Sequence, residues 1–419
     1  MKSDRGAALI LALLFLSFLT VLGGALLTTS TIDVWISENY KASTQGLYLA
    51  EAGIELGREL LRASTGTPTE LLTAAAGPNG TLSTSTDLRL LLASDDEPLF
   101  PSAATLRATG QPLADSSGRT IGTYHVWLRN DNADGMAAPV DHNQVLTLLS
   151  FAAMRGTRKV IEVTIKKSKF PRLPAAMTFD GPLGGFDYTN SMLAKIDGND
   201  AGTARENENA VGIVDNSDIN RIASALMGPP DRRSTYSGVS GISPDVANSE
   251  DEMESRLKTV SGLEDLVSTL MANASDTYRP AYGSATAIGT YGMPADYRIA
   301  VVNGDVILGP GVGYGMLLVR GDLWVMGSFT WNGLILVIGQ GSFHWNGAGD
   351  GSINGGLFLA RTRANDRSSA NPLGTLLSSR GEITADFNGA RGSGIQYNTS
   401  MIEAANQALP YNAIAVRER

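Results

Sequence analysis

Cysteine is absent from this chain, which excludes disulfides, thiolate-bound metals and thiol catalysis. The absence does not place the chain in a reducing compartment, because a large core needs no disulfide. Histidine is scarce too. His125, His142 and His344 lie far apart and form no metalloprotease or zinc-finger spacing. Charged residues are 18% of the chain and the formal net charge is -9, so no basic surface for nucleic acid is expected. No GxxxxGK[ST] run and no GxSxG occur, which removes the P-loop ATPase and the nucleophile-elbow hydrolase. The glycines of GPGVGYG at 309–315 have GxGxxG-like spacing but no βαβ context; no dinucleotide site is expected there.

What is present is a folding chain of two or three domains: 419 residues, 43% hydrophobic. Its N-terminus is the informative part. Lys2 and Arg5 precede a stretch, residues 7–32, without a charge. The strongly apolar part, residues 7–27, is 21 residues, about 31 Å as a helix. That matches a hydrocarbon core of ~30 Å. The run is longer than a secretory signal's apolar region and no cleavage-type break follows it. Lys2 and Arg5 predict a cytoplasmic N-terminus and an exported C-terminus.

No proline or loop cluster occurs from Asp33 to Leu61. Ile36, Tyr40, Ser43, Leu47, Ala50, Ile54, Gly57 and Leu61 recur at spacings of four and three, one helical stripe. Glu55 with Arg58 and Glu59 with Arg62 are spaced as exposed pairs. The pattern predicts one continuous helix of roughly 80 Å, lipid-soluble in its first half and amphipathic in its second, ending at Thr65-Gly66-Thr67-Pro68.

The segment Arg5-Gly6-Ala7-Ala8-Leu9-Ile10, the apolar run, Ser37-Glu38-Asn39-Tyr40 and Tyr48-Leu49-Ala50-Glu51-Ala52-Gly53 together resemble the N-terminal domain of PilX-type minor pilins, over about residues 3–62. The resemblance implies a prepilin leader, residues 1–6, cut by a prepilin peptidase between Gly6 and Ala7, with methylation of the new amine. It implies that the helix 7–62, led by Leu9, Leu11, Leu13, Phe15 and Leu19, anchors in membrane lipid and packs in a filament. Its implied partners are other pilins and minor pilins, the peptidase and an inner-membrane assembly platform. Most major pilins carry glutamate at the fifth mature position; here it is Leu11. A lone carboxylate in lipid is costly, so its absence suits a subunit with no partner ahead of it, at a tip or in initiation.

Strands are expected at 121–129, 144–154 and 158–166, the last alternating with period two. Arg155-Gly156-Thr157 marks the hairpin turn. A long helix followed by an antiparallel sheet is the pilin-head arrangement, assigned to residues 63–170. Asp131, Asp134 and Asp141 lie between the first two strands. Their oxygens suit Ca²⁺, but the spacing matches no EF-hand and a solvated loop is the reading preferred. Residues 171–297 read as a variable insertion, with a polar turn at Ile196-Asp197-Gly198-Asn199-Asp200, preferred over a metal loop, and an amphipathic helix near 251–273.

Residues 298–419 contain a repeat. IAVVNGDVIL from Ile299, MLLVRGDLWV from Met316 and LILVIGQGSF from Leu334 align, with Gly304, Gly321 and Gly339 in equivalent places and a fourth run at 356–360. The period suggests a parallel β-solenoid with glycine where corners need positive φ. A closing coil and a helix at 400–409 read as its cap, before Pro410. The fold class expected is α+β: a long transmembrane pilin helix, an antiparallel β head and a C-terminal parallel β-solenoid.

Three function classes fit this plan. The first is a minor pilin or pseudopilin of a type IV pilus-like machine, with no cofactor, metal or enzymatic role, in the inner membrane and then in the periplasm or at the cell surface. The second is a permanently anchored adhesin binding carbohydrate or a protein through its solenoid, for which Trp324, Trp331 and Trp345 are candidates. The third is a glycoside-active enzyme using Asp305, Asp322, Asp350 or Glu382. Asp305 and Asp322 follow equivalent glycines, however, and read as corner residues facing water; the tryptophans read as corner packing.

Overall fold

The computed structural model describes residues 4–64, 66–100, 104–154, 156–188, 194–204, 206–227, 231–345, 351–390 and 394–418. The chain divides into two compact units, Met1–Lys166 with Asn412–Arg419, and Lys167–Tyr411.

The first unit begins with α1 (Asp4–Ala63), one unbroken helix of 60 residues, about 90 Å long. Its buried face starts at Ala42 and continues through Gly46, Leu49, Ala50, Gly53, Ile54, Gly57 and Leu61. The expected stripe is correct from Ala50 onward, but Ile36 and Tyr40 are exposed and Ser43 and Leu47 only half-buried. Hydrophobicity placed the large residues inward, whereas close approach to the sheet selects small ones. A Cβ on Gly53 would sit 2.3 Å from Ser150 Oγ, and one on Gly57 3.0 Å from Val126 Cγ1. The pairs Glu55–Arg58 and Glu59–Arg62 form on the outer side at 2.8 and 3.0 Å.

Three short helices follow, α2 (Pro68–Ala75), α3 (Leu88–Ala93) and α4 (Ala104–Thr109), where the sequence promised little regular structure. For α2 a signal was present. Thr67 caps the helix, its hydroxyl accepting from the Glu70 N–H while the Glu70 carboxylate accepts from the Thr67 N–H at 2.7 Å. Thr-Pro-Thr-Glu is a capping box with proline at the first helical position.

The sheet is β1 (Gln111–Ala114), β2 (Thr120–Asn130), β3 (Val145–Met154) and β4 (Thr157–Lys167), antiparallel in that order, with the chain's last strand, Tyr411–Glu418, beside β4. The hairpin turn falls where it was read: Met154 pairs with Thr157 and Gly156 has φ +82°; Arg155 lies outside the described residues. α1 covers the face carrying Tyr124, Val126, Leu148 and Ser150. On the opposite face Trp127, Leu149 and Phe151 pack with Leu91 of α3.

The second unit contains β5 (Ala175–Phe179), β6 (Leu183–Asp187), β7 (Lys195–Asp197), β8 (Asn209–Ile213), α5 (Asn216–Leu226), β9 (Tyr236–Ser237), β10 (Val246–Asn248), α6 (Val260–Ala272), β11 (Asp276–Tyr278) and β12 (Ala285–Ile288). It continues through β13 (Arg298–Val302), β14 (Asp305–Leu308), β15 (Gly311–Val319), β16 (Asp322–Val325), β17 (Phe329–Gly339), β18 (Ser342–Trp345) and β19 (Ser352–Arg363). It closes with β20 (Leu376–Gly381), β21 (Ile383–Asp386), β22 (Gly394–Tyr397) and α7 (Thr399–Gln407). From β11 to β19 successive strands alternate between two parallel sheets, one running β11-β13-β15-β17-β19 and the other β12-β14-β16-β18 and on to β21. Ile299 pairs with Met316, Met316 with Leu334 and Leu334 with Gly356, the register in which the repeats align. Residues 171–297 contribute to the same sheets: β5 lies between β19 and β8, and β6 beside β21.

The apolar stretches of β13, β15, β17 and β19 are buried on both faces, so their sequences are continuous apolar runs without alternation. Val302, Val319, Val337 and Leu359 face Val306, Leu323 and Phe343 of the second sheet. Ile299, Met316, Leu334 and Phe358 face α6 through Leu263, Leu266 and Leu270. α6 begins nine residues later than the 251–273 reading, at a cap where Thr259 Oγ1 accepts from the Gly262 N–H at 3.1 Å. Leu257, though buried, precedes the helix.

The last strand, β23 (Tyr411–Glu418), returns to the first sheet, where Lys159 Nζ meets Glu418 Oε1 at 2.6 Å. The second unit is therefore an insertion between two neighbouring strands of the first unit's sheet. Nothing in the tail's sequence announced this. Pro410 and the helix before it read as an ending, and an eight-residue exposed strand has no local signature that names its partner.

One buried carboxylate gives this unit a pH dependence. Asp180, fully buried after β5, pairs with Arg380 of β20, which also holds Glu250 at 3.0 Å. Burial pushes the Asp180 carboxyl up to about 7, against the opposing pull of Arg380. A folded-state value above the ordinary 3.8 means the folded protein holds this proton more tightly. The contribution is therefore complete at acid pH and is lost as pH rises toward and through about 7. Asp180→Asn should flatten the fall in stability between pH 4 and 7, measured as denaturation midpoints at each pH. Parallel curves for the two proteins would refute this.

Candidate anchoring and assembly helix

The first half of α1 touches nothing. Its residues from Leu9 to Lys41 are exposed, apart from a half-buried Gly23. Leu9, Leu11, Leu13, Phe15 and Leu19 all present their side chains outward, Leu11 at 68% exposure and Leu19 at 47%. A face this apolar is unstable in water at about 25 cal/mol per Å². Its whole circumference, not one stripe, is apolar, which is the condition for lipid and not for a single packed neighbour. Among the described residues it is the one helix long and apolar enough to cross a membrane.

Five hydroxyls of this half are satisfied within the helix. Ser17 donates to the Leu14 carbonyl, and Thr20, Thr28, Thr29 and Thr31 to Leu16, Gly24, Ala25 and Leu27, at 2.7–3.0 Å. Such bonds let a hydroxyl sit in hydrocarbon without an external partner. Gly6 and Ala7 lie in the first turns of α1; their side-chain surroundings are outside the described residues.

The remaining sequence candidates separate clearly. Asp305 and Asp322 do stack at matching corners, but Asp305 does not face water as expected and Asp322 is half-buried. Asp305 is buried, and Arg367 spans both, at 2.6 and 3.2 Å. Burial raises the Asp322 carboxyl, Asp305 adds to that, and Arg367 opposes it. Both carboxylates are thus committed to one guanidinium from the β19–β20 loop, an arrangement that closes a loop and leaves neither carboxylate free for acid or base work. Glu382 is exposed before β21, and Asp350 lies outside the described residues.

Trp331 and Trp345 are in the core. Trp331 stacks between Tyr291 and Phe329, and Trp345 on Phe387. Trp324 is on the outer face of β16, where His344 stacks on it at 5.4 Å and Ile307 occupies the equivalent place on β14. Both faces of its ring look along the stack, so no flat platform for a sugar is offered. The reading of these rings as corner packing fits.

The acidic loop and turn are built from hydrogen bonds. Asp131 accepts from the Asp134 N–H and from Asn143, Asp134 from the His142 N–H, and Asp141 from the Gln144 N–H. Asp200 accepts from the N–H groups of Gly202, Glu206 and Thr399 and from the Thr399 hydroxyl. No group of metal-ligating side chains forms among the described residues. The glycines at 309–315 lead into β15 and not into a helix; Gly313 lies under Trp331, whose ring would be 2.1 Å from a Cβ there.

Comparison with known proteins gives a family match and matches among solved structures. No curated protein matches the chain. The competence-associated pilin ComZ from Thermus thermophilus aligns at 11% identity over 90% of this chain and 98% of its own, with a TM-score of 0.24, too low to carry an argument. The model of the PilX N-terminal family matches residues 5–55. These residues are the lipid-compatible half of α1 together with the start of its packed half. The long helix of this chain thus carries a segment that matches the PilX N-terminal family.

Proposed function

We propose that the protein is a minor pilin or pseudopilin of a type IV pilus-like filament, acting at the tip or in assembly initiation. The observation that carries this is the 60-residue helix whose first half is bare and apolar and whose second half is clasped by an antiparallel sheet. In this reading the helix rests in the inner membrane with its N-terminus inside. A prepilin peptidase removes residues 1–6, leaving Ala7 first, and an assembly platform passes the subunit into the filament, where Leu9, Leu11, Leu13, Phe15 and Leu19 contact neighbouring helices.

Leu11 in place of a carboxylate supports a position with no subunit ahead. Residues 63–170 form the pilin head. Residues 171–297 and 298–419 form a displayed module, which we read as a β-solenoid because strands alternate between two parallel sheets in register. Its role is in adhesion, secretion or assembly and not in catalysis, which agrees with the engagement of Asp305 and Asp322 by Arg367.

N-terminal sequencing of the protein expressed with and without a prepilin peptidase tests the reading. A chain that begins at Ala7 only when the peptidase is present is the expected result. An intact leader in both cases would reject the pilin role in favour of a fixed, membrane-anchored surface protein.

A further inference from the structure

The two edges of the first unit's sheet are unlike. On one side β1 has four residues, contains Pro112 and shifts register between Leu113 and Ala114. Short length, proline and a bulge are the devices that stop an edge from pairing with another chain. On the other side β23 has eight residues and no proline, and everything after Tyr411 is exposed. Ile414 and Val416 stand 57% and 68% exposed. Its one described ion pair, Glu418 with Lys159, faces inward to β4. β23 ends the strand order of the sheet, and an unblunted edge strand with exposed apolar side chains specifies an extended strand as its partner.

We propose that this partner is β23 of a second copy, paired antiparallel about Ala415. The sequence around that residue is self-complementary. Centred there, Ile414 lies opposite Val416 of the second copy on one face, twice by symmetry, and Ala413 lies opposite Arg417 on the other. Centring on Val416 would set Ile414 against Glu418, and centring on Ile414 would set Val416 against Asn412. Of these three centres, only Ala415 sets both Ile414 and Val416 against apolar side chains, the arrangement that stabilises cross-strand neighbours. The two-fold axis makes the contact isologous and closed, so it yields a dimer and not an open fibre.

The absence of native cysteine makes the test clean. Directly opposed residues on antiparallel strands lie about 4.5–5.5 Å apart between Cα atoms, within the span of a disulfide. The full chain carrying Ala415→Cys, oxidised in membranes or detergent, should shift to the dimer mass on a non-reducing gel. Tyr282→Cys, exposed at 49% in the other unit, should stay monomeric, as should Ala413→Cys. Adding Ile414→Lys to Ala415→Cys should abolish the dimer, because the two introduced charges oppose the apolar pairs. The proposal fails if Ala415→Cys crosslinks no more than Tyr282→Cys, if Ala413→Cys crosslinks equally well, or if the disulfide captures a different protein. None of these outcomes depends on whether the leader is cut.

Discussion

Replacing Glu264 with alanine should lower the unfolding free energy of the second unit by about 3–5 kcal/mol, the cost of leaving a buried cation without its partner. Glu264 stands on α6 and its carboxylate accepts four hydrogen bonds from three donors: Arg320 Nη2 at 2.9 and 2.8 Å, Arg363 Nη2 at 2.7 Å and the Thr362 hydroxyl at 2.7 Å. The Arg320 side chain is 3% exposed. Burial pushes the carboxyl of Glu264 upward, but the hydrogen bonds and charges of Arg363 and Arg320 outweigh it, and the net shift is downward. The carboxylate therefore stays charged, and the site depends on that charge. Alanine would leave two guanidiniums, that of Arg320 just past β15 and that of Arg363 at the end of β19, with no counter-charge between them. Urea denaturation followed by circular dichroism gives the loss. A change below about 1 kcal/mol would mean the pair behaves as an exposed one. Arg320→Met in the same chain should recover part of the loss, since an apolar side chain has no charge to bury.

Gly333→Ala should cost roughly 2–6 kcal/mol, from two sources that add. Gly315, Gly333 and Gly355 stack in register on β15, β17 and β19, with φ of +129°, +132° and +141°. An L side chain in that region of backbone space is strained by about 1–3 kcal/mol. The added Cβ would also stand 2.1 Å from the Gly315 carbonyl oxygen and 3.1 Å from the Ala405 Cβ of α7. Backbone cannot step aside as a flexible side chain can, so overpacking adds a further ~1–3 kcal/mol. Gly309→Ala is the control: nothing lies within 4 Å of a Cβ there and the position is not in the left-handed region. A thermal or urea midpoint that falls for Gly333→Ala and holds for Gly309→Ala is the expected pair of results. Equal midpoints would show that the bend in these strands tolerates a side chain.

The glycine ladder also shows where reading the sequence went astray. Gly304, Gly321 and Gly339 were chosen as the repeat's corners because they align. Gly304 does have positive φ, +154°. Gly321 and Gly339 are instead glycine because of contact: a Cβ would meet Asp305 Oδ1 at 2.2 Å and the Arg320 carbonyl at 2.0 Å. The bend lies at other glycines, eighteen and twenty-two residues apart along the chain, since Gly315 pairs with Gly333 and Gly333 with Gly355. Spacing in sequence reports that coils are equivalent. It does not report which residue of each coil turns.

The sequence by itself determined the features that depend on neighbours along the chain. A charge-free run fixes an apolar helix, since hydropathy is a property of the residues themselves. The absence of proline and loop clusters keeps that helix continuous to Ala63. Alternation fixes β4, and the aligned runs fix the register of β13, β15 and β17. Only tertiary structure decided what depends on atoms far apart in sequence. It put Gly46 and Gly53, which the expected stripe left out, on the face of α1 that meets Lys159 and Ser150. It tied two aspartates to one guanidinium, because Arg367 reaches both from a distant loop. It sent β23 back to β4 across the whole second unit, because backbone pairing is satisfied by any strand of suitable direction and only the assembled sheet leaves one edge to receive it.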